Sequence, residues 1–242
     1  MATNTKNVLV GAADLFLSTA TGDARVNTEA TDLAAVLPSG QSARTGLLSS
    51  ADYKEVGFTS AGLEISYEPA YGEVMVDQLL DAARLFKQTL KVMMKTELVE
   101  STLENLQLSW GQMDTYYVNN TGSSISGVNT LNSTKLQSGD SLENTLNIAG
   151  GALGDAPVER VLVAVGNAPG TINGDSSKSS KRNKERVYVA RRVVSIDTTA
   201  HSLKRDSATV FPVNFRCLPD DRKSSYAGSE YGVVVDRVWG SN

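Results

Sequence analysis

The chain has one histidine and one cysteine in 242 residues. A histidine-based zinc site needs at least two imidazoles at fixed spacing, so it is excluded, and so are an intrachain disulfide and a cysteine-rich metal site. No Gly-x-Ser-x-Gly elbow, His-Glu-x-x-His pair or Walker lysine is present. AGGALG (149–154) has the flavour of a dinucleotide turn. It lacks that motif's first glycine, however, and follows a polar segment where a buried strand is required. No apolar run approaches the roughly 18 residues of a membrane span. Residues 8–17 are apolar, but Asp14 interrupts them and no small-residue cleavage site follows. The expectation is therefore a protein made and kept in a cytoplasm, where the sequons at 119–121 and 132–134 are chance matches. Charge of one sign is also lacking. The 23 Lys and Arg against 27 Asp and Glu leave a net charge of -4, which is not the basic footprint of a nucleic-acid binder.

The two scarce residues read as structural. His201 sits in a TTAHS stretch with no nucleophile motif nearby, as a surface loop residue would. Cys217 falls in alternation with apolar neighbours after Val213 and reads as a small buried hydrophobe.

What is present is strand-like alternation. Hydrophobic residues make up 40% of the chain, enough to build a core, and the length suits one large β domain or two small ones. Leu63, Ile65 and Tyr67 share one face, and Glu64, Ser66 and Glu68 the other. EPAYG (68–72) then reads as a hairpin turn, after which Glu73, Met75 and Asp77 alternate with Val74 and Val76. The expectation is a hairpin over 60–78 with one apolar and one acidic face. Residues 90–99 read as a long strand whose polar face carries Lys91, Lys95 and Glu97. Residues 77–86 fit either a helix or a structured loop. STLE (101–104) is a capping box, with Ser101 as N-cap, and Leu103, Leu106 and Trp110 then line one helical face up to Gly111. Further strands are predicted at 158–165, 186–196, 209–216 and 231–235, with one more within 141–148.

The pattern predicts a mainly β fold: a β-sandwich or partly open barrel with one short flanking helix. It reads as one domain over 1–242 with loop insertions at about 21–50, 118–151 and 166–185. Leu63, Ile65, Val74, Val76, Val92, Met94 and Leu98 should pack against Leu103, Leu106 and Trp110. The loop cluster Lys178, Lys181, Arg182 and Lys184 reads as a solvated tip, or as a dock for an acidic face of a neighbouring subunit. The acidic hairpin face admits three readings: a solvated surface, a lumen wall, or a glycosidase-like acid pair that would need a deep pocket.

Several stretches resemble the tail tube proteins of long-tailed phages. EVGFTSAGLEISYEP (55–69) and EVMVDQ (73–78) are similar to that family's early hairpin. TELVESTLENL (96–106) resembles its long strand leading into a packed helix, and FRCLPD (215–220) its last core strand. The likeness covers about residues 53–111, with weaker support over 158–220. It implies subunits that close their sheets into a shared inner barrel, stacked as hexameric rings around a tape measure protein. The genome then crosses the lumen without specific binding. Its implied partners are other copies of the chain, the tail terminator, baseplate or tail-tip proteins, and a sheath in tails that contract. No cofactor, catalytic residue, metal or membrane is implied, and the location is the virion tail, assembled in the host cytoplasm.

Six subunits giving about four strands each, spaced about 4.8 Å and tilted about 45°, enclose a backbone cylinder roughly 50 Å across. Lumen candidates are Glu64, Ser66, Glu68, Glu73, Asp77 and Glu97. Candidates for contact between copies are Tyr53, Pro69, Tyr71, Gln78, Lys181 and Arg182. The alternative is another virion ring component, a head–tail connector or baseplate protein, with an enzyme or carbohydrate-binding module further behind.

Overall fold

The computed structural model describes residues 11–19, 36–75, 83–113, 117–119, 144–148, 150, 153–169, 184–196, 200–203, 205–206, 208–220 and 227–239. The strands are β1 (Asp14–Ser18), β2 (Tyr53–Glu55), β3 (Thr59–Val74), β4 (Arg84–Leu98), β5 (Tyr117–Asn119), β6 (Asn144–Leu146), β7 (Arg160–Asn167), β8 (Lys184–Ser195), β9 (Phe211–Cys217) and β10 (Gly232–Val238). Among the described residues two helices with assigned bounds accompany them, α1 (Ala43–Ser49) and α2 (Leu103–Ser109). The fold is mainly β, as the alternation predicts. It is an open antiparallel sheet of eight strands in the order β2-β1-β7-β8-β9-β4-β3, with β10 also pairing β8 and β5–β6 forming a separate ladder. The sheet is not closed into a barrel, and helix α1 lies in the stretch expected to be loop.

Side-chain period decides what each strand buries. In β9, Phe211, Val213, Phe215 and Cys217 point into one core, while Pro212, Asn214 and Arg216 alternate away from it. Strand β7 is apolar without alternation because both of its faces are covered. Leu162 and Ala164 join the core of β9 and β4. Val161, Val163 and Val165 join a second core with Phe16, Val187, Val189, Ala43, Leu47 and Tyr53. Helix α1 closes that second core and is held there by polar contacts. The Glu185 carboxylate accepts from the Ala43 N–H (2.9 Å) and from Arg237 Nε (2.5 Å), while Arg237 also donates to the carbonyls of Pro38 and Gln41.

The first core is enclosed by a corner in the chain. Strands β2 and β3 lie at opposite ends of the sheet order, yet only Val56, Gly57 and Phe58 separate them. Four Cα steps reach at most about 14 Å, so the two ends of the sheet must approach each other there. Gly57 has φ 77, a left-handed conformation that L side chains resist, and a Cβ on it would meet the Glu100 carboxylate at 2.2 Å. That carboxylate accepts the Phe58 N–H, the Val99 N–H donates to the Phe58 carbonyl, and Asn105 Nδ2 donates to the carbonyls of Val56 and Glu100. The curl brings Leu15 and Leu17 of β1 into one cluster with Met94 and Leu98 of β4.

Asn105 also explains why α2 differs from its capping-box reading. The N-cap is Thr102, whose hydroxyl accepts from the Asn105 N–H, whereas Ser101 Oγ donates to the Thr209 carbonyl. The buried residues are Asn105, Gln107, Leu108 and Ser109. Leu106 is only partly buried, Trp110 is the half-buried C-cap residue, and Leu103 is exposed. The expected stripe of Leu103, Leu106 and Trp110 is thus rotated, because the corner requires the Asn105 amide. Of the strand residues expected to pack on it, Met94 and Leu98 are in the core, and Leu63 and Val92 border it. Ile65 and Val74 are exposed, and Val76 lies outside the described residues.

The hairpin is also placed differently. No turn occurs at 68–72: β3 runs through Pro69 and Gly72 to Val74, and its partner is β4. Proline is tolerated there because β3 is an edge strand, where a missing N–H need cost no ladder bond. Phe86 pairs with Gly72 across the ladder, and its ring occupies the space a Cβ at Gly72 would fill.

Two stability predictions follow from this packing. Gly57→Ala should destabilise the fold by about 1–2 kcal/mol through its left-handed φ, read as a lower denaturation midpoint. Leu108→Ala should cost about 2–4 kcal/mol through lost burial and a cavity, while Leu103→Ala should stay within about 0.5 kcal/mol in the same titration.

Candidate functional site

Among the described residues, the β3–β4 ribbon is a long structure that the core leaves unused. Strand β3 has 16 residues and none is buried. Strand β4 has 15, of which only Met93, Met94, Thr96 and Leu98 are buried, where β9 pairs it from Val92 to Leu98. The distal part, Arg84 to Lys91 against Glu68 to Val74, pairs only with itself among the described residues. At about 3.4 Å per residue, eight residues project roughly 27 Å beyond β9. Tyr67, Tyr71, Val74, Met75, Leu85 and Phe86 expose 61%, 59%, 43%, 62%, 60% and 47% of their surfaces. A two-stranded hairpin is marginal in water by itself, so a ribbon this long and apolar is a surface made to be covered. Lys87 steadies it locally: its ammonium donates to Tyr67 Oη at 3.0 Å and lies 5.3 Å from that ring, and the hydrogen bond raises the lysine pKa.

The ladder register assigns the faces. Glu64 lies opposite Lys95, Ser66 opposite Met93, and Glu68 opposite Lys91. On β9, Asn214 lies opposite Lys95, Arg216 opposite Met93, and Pro212 opposite Glu97. This outer face points away from the core that holds Met94 and Phe215. It therefore carries Glu64, Glu68 and Glu97 together with Lys91, Lys95 and Arg216. Glu97 accepts from Ser60 Oγ at 2.6 Å. A mainly acidic wall is not what these strands build: the charges alternate in sign across the ladder. A shallow cleft of about 350 Å³ lies on this face, lined by Glu64, Lys95, Glu97 and Asn214.

Glu73 is a further correction. Strand β3 alternates without interruption from Leu63 to Val74, which carries Glu73 to the face of Tyr67 and Tyr71, away from Glu64 and Glu68. The register shift beside it, between Ala70 and Tyr71, adds its extra residue to β4. Glu64, Ser66, Glu68 and Glu97 are thus brought together, and Glu73 is not.

Among the contact candidates, Tyr71 is exposed on the ribbon and Pro69 is half-buried within it. Tyr53 is only 7% exposed, because the alternation of β2 turns it into the α1 core, so it cannot meet another copy. Asp77, Gln78, Lys178, Lys181 and Arg182 lie outside the described residues. The basic residues after that loop are engaged within the fold: Arg186 with Asp236, Arg192 with Glu159 at 2.6 Å, and Arg191 with the Ser229 carbonyl. His201 is exposed, as expected, and its ring stands edge-on to Phe211 at 4.9 Å. Cys217 is buried, and burial pushes its thiol up to about 11.

No protein-family profile matches the chain, and no curated protein does. The fold and the exposed ribbon therefore define a class, a mainly β protein whose open sheet carries an uncovered apolar arm, and no family is established beyond it.

Two measurements test these environments. The Arg186 guanidinium holds the Asp236 carboxyl below its ordinary value. A depressed carboxylate stabilises fully above the unfolded aspartate value near 4, and that stability is lost as pH falls through the lower folded value. Asp236→Asn should therefore lower stability at neutral pH and flatten the acid limb of a pH–stability curve. Cys217 should resist thiol reagents at pH 8 in the native protein and react promptly in denaturant.

Proposed function

We propose that the chain is a structural subunit of a phage tail tube. In this reading, copies stack as rings into a hollow conduit through which the genome passes around a tape measure protein. The observation that carries the reading is the ribbon: a well-packed β body extends a long two-stranded arm with no buried residue in β3. Such an arm gains stability only by covering itself on other copies, and a heterologous contact of that kind propagates into rings or filaments. The resemblance over 53–111 falls on the same elements, namely the corner, the ribbon and α2.

The outer face of β9, β4 and β3 is the proposed lumen wall. Among the described residues no helix packs over it: α1 packs on β2, and α2 on β9 from the core side. Opposite charges a ladder spacing apart cancel each other within a few ångströms. Phosphates crossing the lumen would then meet little net attraction or repulsion beyond a Debye length of about 8 Å. Passage without binding rests in this reading on neutralisation in place of acidic repulsion.

Negative-stain electron microscopy of the purified protein is the test. Open-ended tubes of variable length are expected; isolated closed rings would indicate a connector or baseplate component, and particles that remain single would reject the proposal. Replacing residues 70–89 by Asn-Gly, which shortens the ribbon at the Pro69–Leu90 pair, should leave a folded monomer with nearly unchanged melting that forms no tubes.

A further inference from the structure

Strand β8 forks the sheet. Along one edge, β8 pairs with β10 over Lys184 to Ala190 and with β9 over Val193 to Ser195. Strand β9 ends at Cys217, opposite Val92, so beyond that point β4 and β10 diverge. The gap between them is an apolar groove of about 420 Å³, walled by Ile65, Tyr67 and Val92 on the ribbon side and by Tyr188, Tyr231 and Val234 on the other. Among the described residues, the edge of β10 away from β8 is unpaired, and so is the edge of β4 from Arg84 to Lys91.

We propose that this groove is the seat for the distal ribbon of a second copy of the chain, bound head to tail. The inference rests on the tube-subunit reading and names the surface that reading leaves open. Two observations single out the occupant. The first is area: on the inserted ribbon Tyr71, Val74, Met75, Leu85 and Phe86 leave on the order of 550 Å² open, and in the receiving groove Ile65, Tyr67 and Val234 leave on the order of 300 Å², a small contact by the standard of about 800 Å² per partner to which backbone pairing must add. The second is the free backbone. The unpaired runs on β4 and β10 are eight and seven residues long and contain no proline, so each can add a strand. A small apolar ligand would fill the groove but leave both edges unpaired. The outer edge of β3, by contrast, is blunted by Pro69. In the bound arrangement Leu85 of one copy, which shares the face of Tyr67 and Tyr71, enters the groove of the next, and the free edge of β4 pairs with the free edge of β10. Donor and acceptor are different surfaces of the same subunit, so each added copy presents a fresh groove.

The experiment uses the full chain in sedimentation velocity. Val234→Arg spoils the groove and keeps the ribbon, whereas Leu85→Asp spoils the inserted face of the ribbon and keeps the groove. Each variant alone should stay monomeric at ten times the concentration at which the unsubstituted chain assembles. A mixture of the two should stop at a one-to-one dimer, because a single intact pairing remains. Mixing Val234→Cys with Leu85→Cys under oxidising conditions should give a disulfide-linked dimer on denaturing gels, a readout that does not depend on tolerance of a buried charge. If Val234→Arg assembles like the unsubstituted chain, or no cross-link forms while assembly proceeds, the groove assignment is wrong and the tube reading stands. If the unsubstituted chain is monomeric at every concentration, both fall.

Discussion

The three-residue link between β2 and β3 is the constraint on which the rest of the molecule depends. It joins the two ends of the sheet order, so a sheet that could have lain flat must curl until its edges approach. Gly57 supplies a conformation other residues resist, and Glu100 and Asn105 satisfy the polar groups the bend would otherwise strand. The curl turns one face inward, and Leu15, Met94, Leu108 and Phe215 become one core although they are far apart in sequence. The same link uses up the amide of Asn105 and thereby fixes which side of α2 faces the sheet.

Strand β8 distributes what the curl leaves. It serves β7 along one edge and both β9 and β10 along the other, so the sheet divides into two halves with different fates. Around β1, β7 and the start of β8, both faces are covered, by the curled core and by α1 on its Glu185–Arg237 clasp. Around β9, β4 and β3, no helix among the described residues packs over the outer face, where Met93 is nonetheless buried between its charged neighbours. Burying Glu185 against Arg237 carries a desolvation cost, which the Ala43 N–H and the carbonyls given to Arg237 offset by satisfying the remaining hydrogen-bonding capacity. The half without such a cover is the half with alternating charges, the groove and the ribbon. Stability and interaction are therefore carried by different parts of one sheet.

Strand periodicity and strand pairing were legible to different degrees. The alternation in β9 and the apolar run of β7 place those strands nearly where they lie, and the burial of Cys217 follows from its phase. The EPAYG run misleads because Pro and Gly signal a turn only when no partner strand imposes extension. Here β4 pairs across both, Pro69 faces an open edge, and Phe86 fills the space over Gly72. Once the turn is removed, the phase of β3 carries through, and Glu73 changes face. Tyr53 and α1 were hidden for a related reason: a three-residue strand and a seven-residue helix have too few periods to show a pattern, and α1 lacks the capping-box sequence that marked the equally short α2.

The sequence by itself determined the material of this protein. It has strands of period two, a short capped helix, no histidine or cysteine cluster for metal or redox chemistry, and near balance of charge. Those properties are local, set by each residue's shape, polarity and immediate neighbours. Tertiary structure alone decided which strands meet, which carboxylate faces which lysine, that the sheet forks at β8, and that one long ribbon is left uncovered. Register and curl arise from contacts between residues tens to hundreds of positions apart, and no local pattern encodes the edge against which a strand will come to rest.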